Sequence, residues 1–226
     1  MLYHKAYELL KNSDSPKLMP DLCANLGDAY VFDNDLPKAA LWYRKELFID
    51  DSLQLPKVQN ASLYMGLGRI YLLLEDFEAS LNCYQQTEKS FSDLSLNLQA
   101  YFLNNYGNYY YYTKDYQTSL KKFLMLKKLL EKHDKRETFS MYLCKLNLAD
   151  VYLNLNQLDL SDKCLDEVED YMRKNGDETA IYYCNTIRIG QAVKKKDWNT
   201  VARILAGEKS NDQLDFSLLQ IRHQYL

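Results

Sequence analysis

Apolar residues recur along the chain at the three- and four-residue spacing of an amphipathic helix, in segments that return about every forty positions. Four segments align, NLGDAY, GLGRIY, NYGNYY and NLADVY, and they begin at Asn25, Gly66, Asn105 and Asn147. Each contains one small residue, and these stand 41, 39 and 42 positions apart: Gly27, Gly68, Gly107 and Ala149. A small side chain lets a neighbouring helix backbone come close, so the pattern predicts one tightly packed helix in every segment.

A second signature follows each segment at a fixed distance and occurs a fifth time, beginning at residues 34, 75, 114, 156 and 196. Each opens with a candidate for the helix N-cap, which is Gln157 in the fourth copy and aspartate in the others: Asp35, Asp76, Asp115 and Asp197. A small residue and then, four positions later, an aromatic residue or leucine come next, as in Ser119 and Phe123. Together the two signatures predict a helix, a tight turn and a second helix in every unit, with the large side chain filling the gap between units.

The paired signatures resemble the tetratricopeptide repeat (TPR) family, whose pattern is Leu-Gly-x-x-Tyr followed by Ala-x-x-x-Phe. The resemblance covers roughly residues 16–207. The chain departs from the family in lacking a proline at the end of each unit and in a period near 40 rather than 34, which implies longer helices. The resemblance implies an all-α fold, a right-handed α-solenoid of about five helix-turn-helix repeats with partial units at both ends.

We expect one domain over residues 1–226, with repeats at about 16–52, 54–92, 95–133, 137–175 and 177–207 and partial helices at 1–12 and 211–226. The fifth repeat is the weakest, since Ile189 and Ala192 stand where the others carry glycine and tyrosine. A solenoid needs terminal caps with a polar outer face, and neither end has an obvious one. We therefore expect the chain to be a piece of a longer polypeptide.

Composition and charge narrow the class of partner. Only 7 glycines and 4 prolines are present, too few for the turns of an all-β sandwich or barrel. The formal net charge of −3 gives no overall attraction to nucleic acid or to an anionic membrane, and we expect neither as a partner of this region. The N-terminus lacks the apolar run of a signal peptide, and the five cysteines form no CxxC pair. These features indicate a cytoplasmic protein.

Signals for catalysis are poor. The three histidines lie far apart in the sequence, and the glycines are isolated rather than grouped in a phosphate-binding loop. Carboxylates are expected as helix caps or on exposed faces. We therefore predict that the chain is not an enzyme and has no metal site, no catalytic residues and no cofactor.

Binding is the better prospect, because stacked helix pairs form a concave surface lined by the first helix of each pair. In the TPR family, groove residues lie on the side of that helix away from the Leu and Tyr positions. The resemblance places three asparagines at one equivalent groove position and four polar residues in a second row: Asn25, Asn105 and Asn147, then Asp28, Arg69, Asn108 and Asp150. The asparagines are interpreted in two ways. Either they form an amide ladder that pairs with the backbone of an extended peptide, or they bond to the next repeat or to local backbone.

Four consecutive tyrosines, at 109–112, cover a full helical turn, so they cannot all face the core. We expect Tyr111 and Tyr101 to face the groove, where a rigid amphipathic ring suits a binding hot spot. The alternative is packing between repeats with the hydroxyl at the surface.

The leading functional hypothesis is a non-catalytic module that binds a protein or peptide segment in its concave groove. Repeats of this length with tyrosine-rich first helices resemble the sensory or scaffolding part of larger bacterial regulatory proteins. The alternative is a structural scaffold that associates with itself, its groove filled by its own flanking segments or by a second copy. A homodimer through open solenoid ends is compatible with either hypothesis.

Overall fold

The computed structural model describes residues 2–11, 18–53, 60–133, 138–175 and 178–208, and every regular element in these ranges is helical. Eleven α-helices lie there in chain order: α1 Leu2–Lys11, α2 Met19–Phe32, α3 Leu36–Ser52, α4 Ala61–Leu73, α5 Phe77–Glu88, α6 Leu96–Tyr112, α7 Tyr116–Lys132, α8 Phe139–Asn154, α9 Leu158–Asn175, α10 Glu178–Lys195 and α11 Trp198–Glu208. The predicted fold class, all-α with paired helices, is confirmed. The predicted C-terminal partial helix at 211–226 lies outside the described residues.

The chain divides into two compact units, residues 1–102 and 103–226, with the boundary inside α6. In the first unit α2 packs on α3 and α4 packs on α5, while α1 packs on α2. In the second unit α8 packs against both α7 and α9, and α10 packs against α9 and α11. The single domain over 1–226 stays a prediction.

One turn joins the two helices of every pair. The residue two positions before the second helix has a positive φ of 58–64° and is never glycine: Asn34, Glu75, Lys114, Asn156 and Lys196. In the first pair, the backbone N–H of Asn34 donates to the carbonyl of Val31, and that of Asp35 donates to the carbonyl of Tyr30. This is a Schellman-type end, which satisfies the last carbonyls of the first helix.

The residue after the left-handed position caps the second helix. The Asp35 carboxylate accepts the backbone N–H of Lys38, and aspartates at the equivalent position do the same in three other pairs: Asp76, Asp115 and Asp197. An oxygen acceptor there pairs one of the free N–H groups of the first turn, and its charge suits the positive end of the helix dipole. The predicted aspartate caps are confirmed.

The glycine of the repeat pattern lies under a ring from the second helix of its own pair. A Cβ added to Gly107 would lie 2.8 Å from Cε1 of Phe123, and one added to Gly68 would lie 2.9 Å from Cε1 of Tyr84. The fourth pair has alanine in place of glycine, and there the smaller Leu165 replaces the ring in the same core cluster. The large side chain, predicted to fill the gap between units, covers the small residue of its own pair, and the size of that small residue matches the side chain that covers it.

The cores lie between paired helices and include most of the cysteines. Cys23, Cys83, Cys144 and Cys184 are buried, and no disulfide joins the cysteines of the described ranges. None of the helices in the described ranges is both long and apolar enough to cross a membrane.

The expectation that carboxylates occur only as caps or on exposed faces is wrong for α3. Glu46 is 8% exposed and Asp50 is 5% exposed. They lie one helical turn apart on the side of α3 that neighbouring helices cover, and the sequence pattern does not show that cover.

Candidate ligand cleft

A cleft of about 250 Å³ opens in the first unit. Three of the predicted groove residues line it: Asp28 of α2, Arg69 of α4 and Tyr101 of α6. The rest of its wall comes from α2, α3 and α4: Val31, Tyr43, Ser62, Gly66 and Ile70. The repeat pattern thus brought together three side chains whose positions span 73 residues of sequence.

The register of the helices explains why two of these residues meet. Asp28 directly follows Gly27, and Arg69 directly follows Gly68, so they occupy equivalent positions in consecutive first helices. Each glycine faces the covering ring of its own second helix. Successive side chains on a helix diverge by about 100°, so the residue after the glycine lies on a neighbouring side of its helix, and both Asp28 and Arg69 line the cleft.

Tyr43 connects the core to the cleft. Its ring covers Gly27 on one side, and a Cβ added to Gly66 on the other side would lie only 3.2 Å from Cε2 of the ring. The hydroxyl donates a 2.5 Å hydrogen bond to Oδ1 of Asp28. Burial raises the pKa of Tyr43 well above its usual range, and the hydrogen bond and negative charge of Asp28 raise it further. Tyr43 therefore stays a neutral donor that orients the carboxylate.

Arg69 lies half-buried in the wall of the cleft. No ion pair joins its guanidinium to a carboxylate within the described ranges, although Asp28 lines the same cleft. Its positive charge lowers the pKa of Tyr43, whereas the negative charge of Asp28 raises it. The cleft therefore presents one acceptor and one donor of opposite charge that do not neutralise each other by direct contact.

Tyr101 completes the rim of the cleft and is 39% exposed. Its ring is large, amphipathic and within reach of solvent, which are properties of a binding hot spot. Asn25 is also exposed, three residues before Asp28 on α2, but it does not line the cleft.

The predicted groove residues of the second unit do not line this cleft, and both predicted asparagines of α6 are buried. Asn105 is 1% exposed and Asn108 is 7% exposed. Both amide atoms of Asn105, and Nδ2 of Asn108, have no hydrogen-bond partner among the described residues. Both amides therefore lie inside the helical packing. A buried polar group without a partner costs about 1–3 kcal/mol of stability.

The other three predicted residues of this unit take part in hydrogen bonds. Nδ2 of Asn147 donates to Oδ1 of Asn104 at 2.9 Å, which is the kind of bond between repeats that we set against the amide ladder. Asp150 is 8% exposed and accepts the hydroxyl of Tyr183 at 2.8 Å. The hydroxyl of Tyr111 accepts Nδ2 of Asn154 at 3.3 Å.

Sequence reasoning missed two residues of these sites. Tyr43 stands at the position of the large side chain predicted to fill the gap between units, yet its hydroxyl holds Asp28, fifteen residues earlier. Asn104 lies beside the predicted Asn105 and bonds across 43 residues to Asn147. The signal in the sequence was the pair of adjacent asparagines at 104 and 105, because asparagine has a low helix propensity and two of them stand inside a helix.

Comparison with known proteins supports the repeat interpretation. Residues 61–87, which include most of α4 and α5, match the family model described as tetratricopeptide repeat. No curated protein sequence matches the chain significantly.

Several solved structures share the fold. BtubC (BKLC) from P. vanneervenii is similar with a TM-score of 0.68 and 19% identity, over 78% of this chain and 72% of that chain. A putative kinesin light chain with nearly identical TPR-like repeats, from Podospora anserina, gives a TM-score of 0.64 and 14% identity over 78% of this chain and 86% of that chain. Aspartyl phosphate phosphatase F from Bacillus subtilis gives 0.71 and 14% over 98% of this chain, which spans 59% of that chain. At these identities the likeness shows the fold, a TPR-like array of helical pairs.

Proposed function

We propose that this chain is a non-catalytic interaction module that binds an extended segment of another protein along its first helices. The cleft offers a carboxylate, a guanidinium and phenols, which are groups suited to hydrogen bonding with a peptide. Asp28 is held in place by Tyr43 rather than paired with a base, so the lining suits recognition more than proton transfer.

The observation that carries the proposal is the meeting of Asp28, Arg69 and Tyr101 in one cleft. All three were assigned to binding from their repeat positions. The other predicted groove residues of the first helices stay predictions: Asn25, Asn105, Asn108, Tyr111, Asn147 and Asp150.

We further propose that the module is the sensory or scaffolding part of a larger bacterial regulatory protein. Two of the structural neighbours come from P. vanneervenii and Bacillus subtilis, and the second is named an aspartyl phosphate phosphatase. That name describes the neighbour's activity, which the proposal does not carry over to this chain. Single cysteines scattered through the helices, four of them buried, support a reducing compartment such as the cytoplasm.

The proposal is tested by capture of a partner on the immobilised protein. Wild type is compared with Arg69→Ala and Tyr101→Ala, and with Gln85→Ala, which changes an exposed residue of α5 outside the cleft. We expect wild type and the Gln85 variant to retain the same partner and both cleft variants to lose it. Overlapping peptides of that partner then locate the bound segment. Equal retention by all four proteins, with unchanged helicity, would contradict the proposal.

A second candidate function, self-association, is favoured by one observation. Leu41 and Phe48 lie two turns apart on one face of α3 and are 50% and 75% exposed. Apolar side chains exposed in this way favour contact with a second copy. Light scattering over a concentration series tests it: a dimer that Phe48→Glu dissociates supports association, and a monomer at all concentrations excludes it. The homodimer through the solenoid ends stays a prediction.

A further inference from the structure

We infer that the cleft between Asp28 and Arg69 takes the primary carboxamide of a glutamine or asparagine side chain on the bound segment. This inference rests on the proposed function and names the chemistry that one subsite reads. It follows from the charges, the hydrogen-bonding capacity and the size of the cleft.

Asp28 and Arg69 line one small cavity without forming an ion pair with each other, so the site is dipolar and close to neutral overall. An acidic ligand group that approaches Arg69 is repelled by Asp28, and a basic group that approaches Asp28 is repelled by Arg69. A neutral group with a strong dipole avoids both penalties.

One oxygen of Asp28 already accepts the hydroxyl of Tyr43, which leaves the rest of the carboxylate to accept from a ligand N–H. Arg69 can only donate, so it needs a ligand oxygen. The complementary ligand therefore carries one N–H and one C=O.

A side-chain amide and the peptide backbone present their N–H and C=O groups differently. In a trans peptide the N–H and C=O of one unit point to opposite sides, so a single unit cannot meet two groups on one wall. A primary carboxamide presents its oxygen and its nitrogen side by side at the end of a flexible stem. It can bridge the acceptor and the donor of the cleft at once.

The size of the cleft agrees with this ligand. A volume of about 250 Å³ is below the usual range for whole small molecules and is enough for one side chain. Val31 and Ile70 supply apolar wall beside the methylene groups, and the partly exposed ring of Tyr101 lies at the rim. The charged pair thus lies next to surface that suits the stem of glutamine.

The experiment uses three blocked amino acids as probes: N-acetyl-glutamine N-methylamide and its glutamate and lysine analogues. Binding is followed by NMR, through the Nε–H signal of Arg69 and the backbone N–H of Gly66. We expect the glutamine probe to bind wild type at least tenfold more tightly than either charged probe. Equal or tighter binding of glutamate or lysine, or no binding of glutamine at 100 mM, would overturn the inference.

Two variants that each remove one charge test the order of affinity for the three probes, which a merely structural role of Asp28 or Arg69 would not change. Asp28→Asn removes the repulsion of acids and should reverse the preference from glutamine to glutamate. Arg69→Gln should reverse it towards lysine, while the control Gln85→Ala keeps the preference of wild type. A variant that binds none of the three probes, or that keeps the wild-type order of affinities, would also overturn the inference, provided that its helicity is unchanged.

Failure of this inference is distinguishable from failure of the proposed function. A partner segment that binds wild type equally well after its glutamines and asparagines are replaced by alanine would refute the carboxamide subsite and leave the interaction module standing. A cleft that binds the glutamine probe in a protein that captures no partner would do the opposite.

Discussion

The hydroxyl of Ser119 donates a 2.8 Å hydrogen bond to the backbone carbonyl of Gly107, twelve residues earlier in the paired helix. The same bond recurs from Ser80 to Gly68 at 2.7 Å and from Ser161 to Ala149 at 2.7 Å. All three serines are fully buried. A buried hydroxyl that reaches a carbonyl of the neighbouring helix ties the two backbones together at their closest approach.

Removal of that hydroxyl should loosen the hairpin. We expect Ser119→Ala to lower the free energy of unfolding by about 1 kcal/mol, since the size of the side chain is almost unchanged and one buried hydrogen bond is lost. Urea denaturation measures the difference. In the first pair the equivalent residue is Ala39, which is fully buried and already lacks the hydroxyl. If Ser119→Ala were as stable as wild type, the bond would be of no consequence for stability.

The contact between Gly107 and Phe123 gives a second prediction. Gly107→Ala should destabilise the protein by about 1–3 kcal/mol, since the new methyl group would meet the ring at 2.8–3.0 Å. Phe123→Leu in the same chain should recover part of this loss, because alanine and leucine already form the equivalent pair at Ala149 and Leu165. A double-mutant cycle measured by denaturation tests the coupling. Strictly additive effects would show that the two side chains do not interact as described.

The left-handed turn residue gives a third prediction. Lys114 has a φ of 64°, a region that costs most L-residues about 1 kcal/mol and that asparagine enters more readily. Lys114→Asn should therefore raise the melting temperature, with a gain of about 0.5 kcal/mol. The control is Lys121→Asn at an exposed position inside α7, where asparagine is a poorer helix former and should lower the melting temperature. A loss of stability in both variants would contradict the account of the turn.

Glu46 gives a fourth prediction, for pH. Burial raises the pKa of its carboxyl to about 8, and the negative charges of Asp50, Asp21 and Asp28 add to the effect. Because the folded state holds the proton more tightly than the unfolded chain, its stabilising effect is complete below about pH 4.5 and is lost as the pH rises through about 8.

Replacement of that carboxyl by an amide should remove this dependence. Glu46→Gln should exceed wild type in stability by about 1–3 kcal/mol at pH 9, and much less at pH 5. Glu8→Gln, at an exposed carboxylate of α1, is the control and should leave the pH profile unchanged. Denaturant midpoints of wild type and both variants, measured at the two pH values, test this difference in stability. A wild-type curve that does not decline over this range would contradict the assignment.

Local chemistry was the part of the fold that the sequence predicted best. Asp35 and Asp115 cap their helices through rules that need only a few neighbouring residues. The close approach at Gly107 was also predictable, because the repeat pattern pairs every small residue with a large one. The hydroxyl bond of Ser119 was not, since a small side chain signals proximity and says nothing of which carbonyl it meets.

The site was predictable to the extent that it depends on repeat register. Asp28 and Arg69 were assigned through equivalent positions, and both line the cleft. The burial of Asn105 and of Glu46 was not predictable, because it depends on how neighbouring helices cover one side of α6 and α3. The link from Tyr43 to Asp28 depends in addition on the space beside Gly66, which only three-dimensional packing reveals.

The turn that joins each helix pair has a consequence for the order of folding. Its capping and carbonyl bonds join residues three to five apart, and the serine bond spans only twelve. Contacts so close in sequence lose little chain entropy when they form, and proteins rich in them fold fast. Each pair can therefore close as soon as it leaves the ribosome, so assembly can proceed from the amino end while later pairs are still being synthesised.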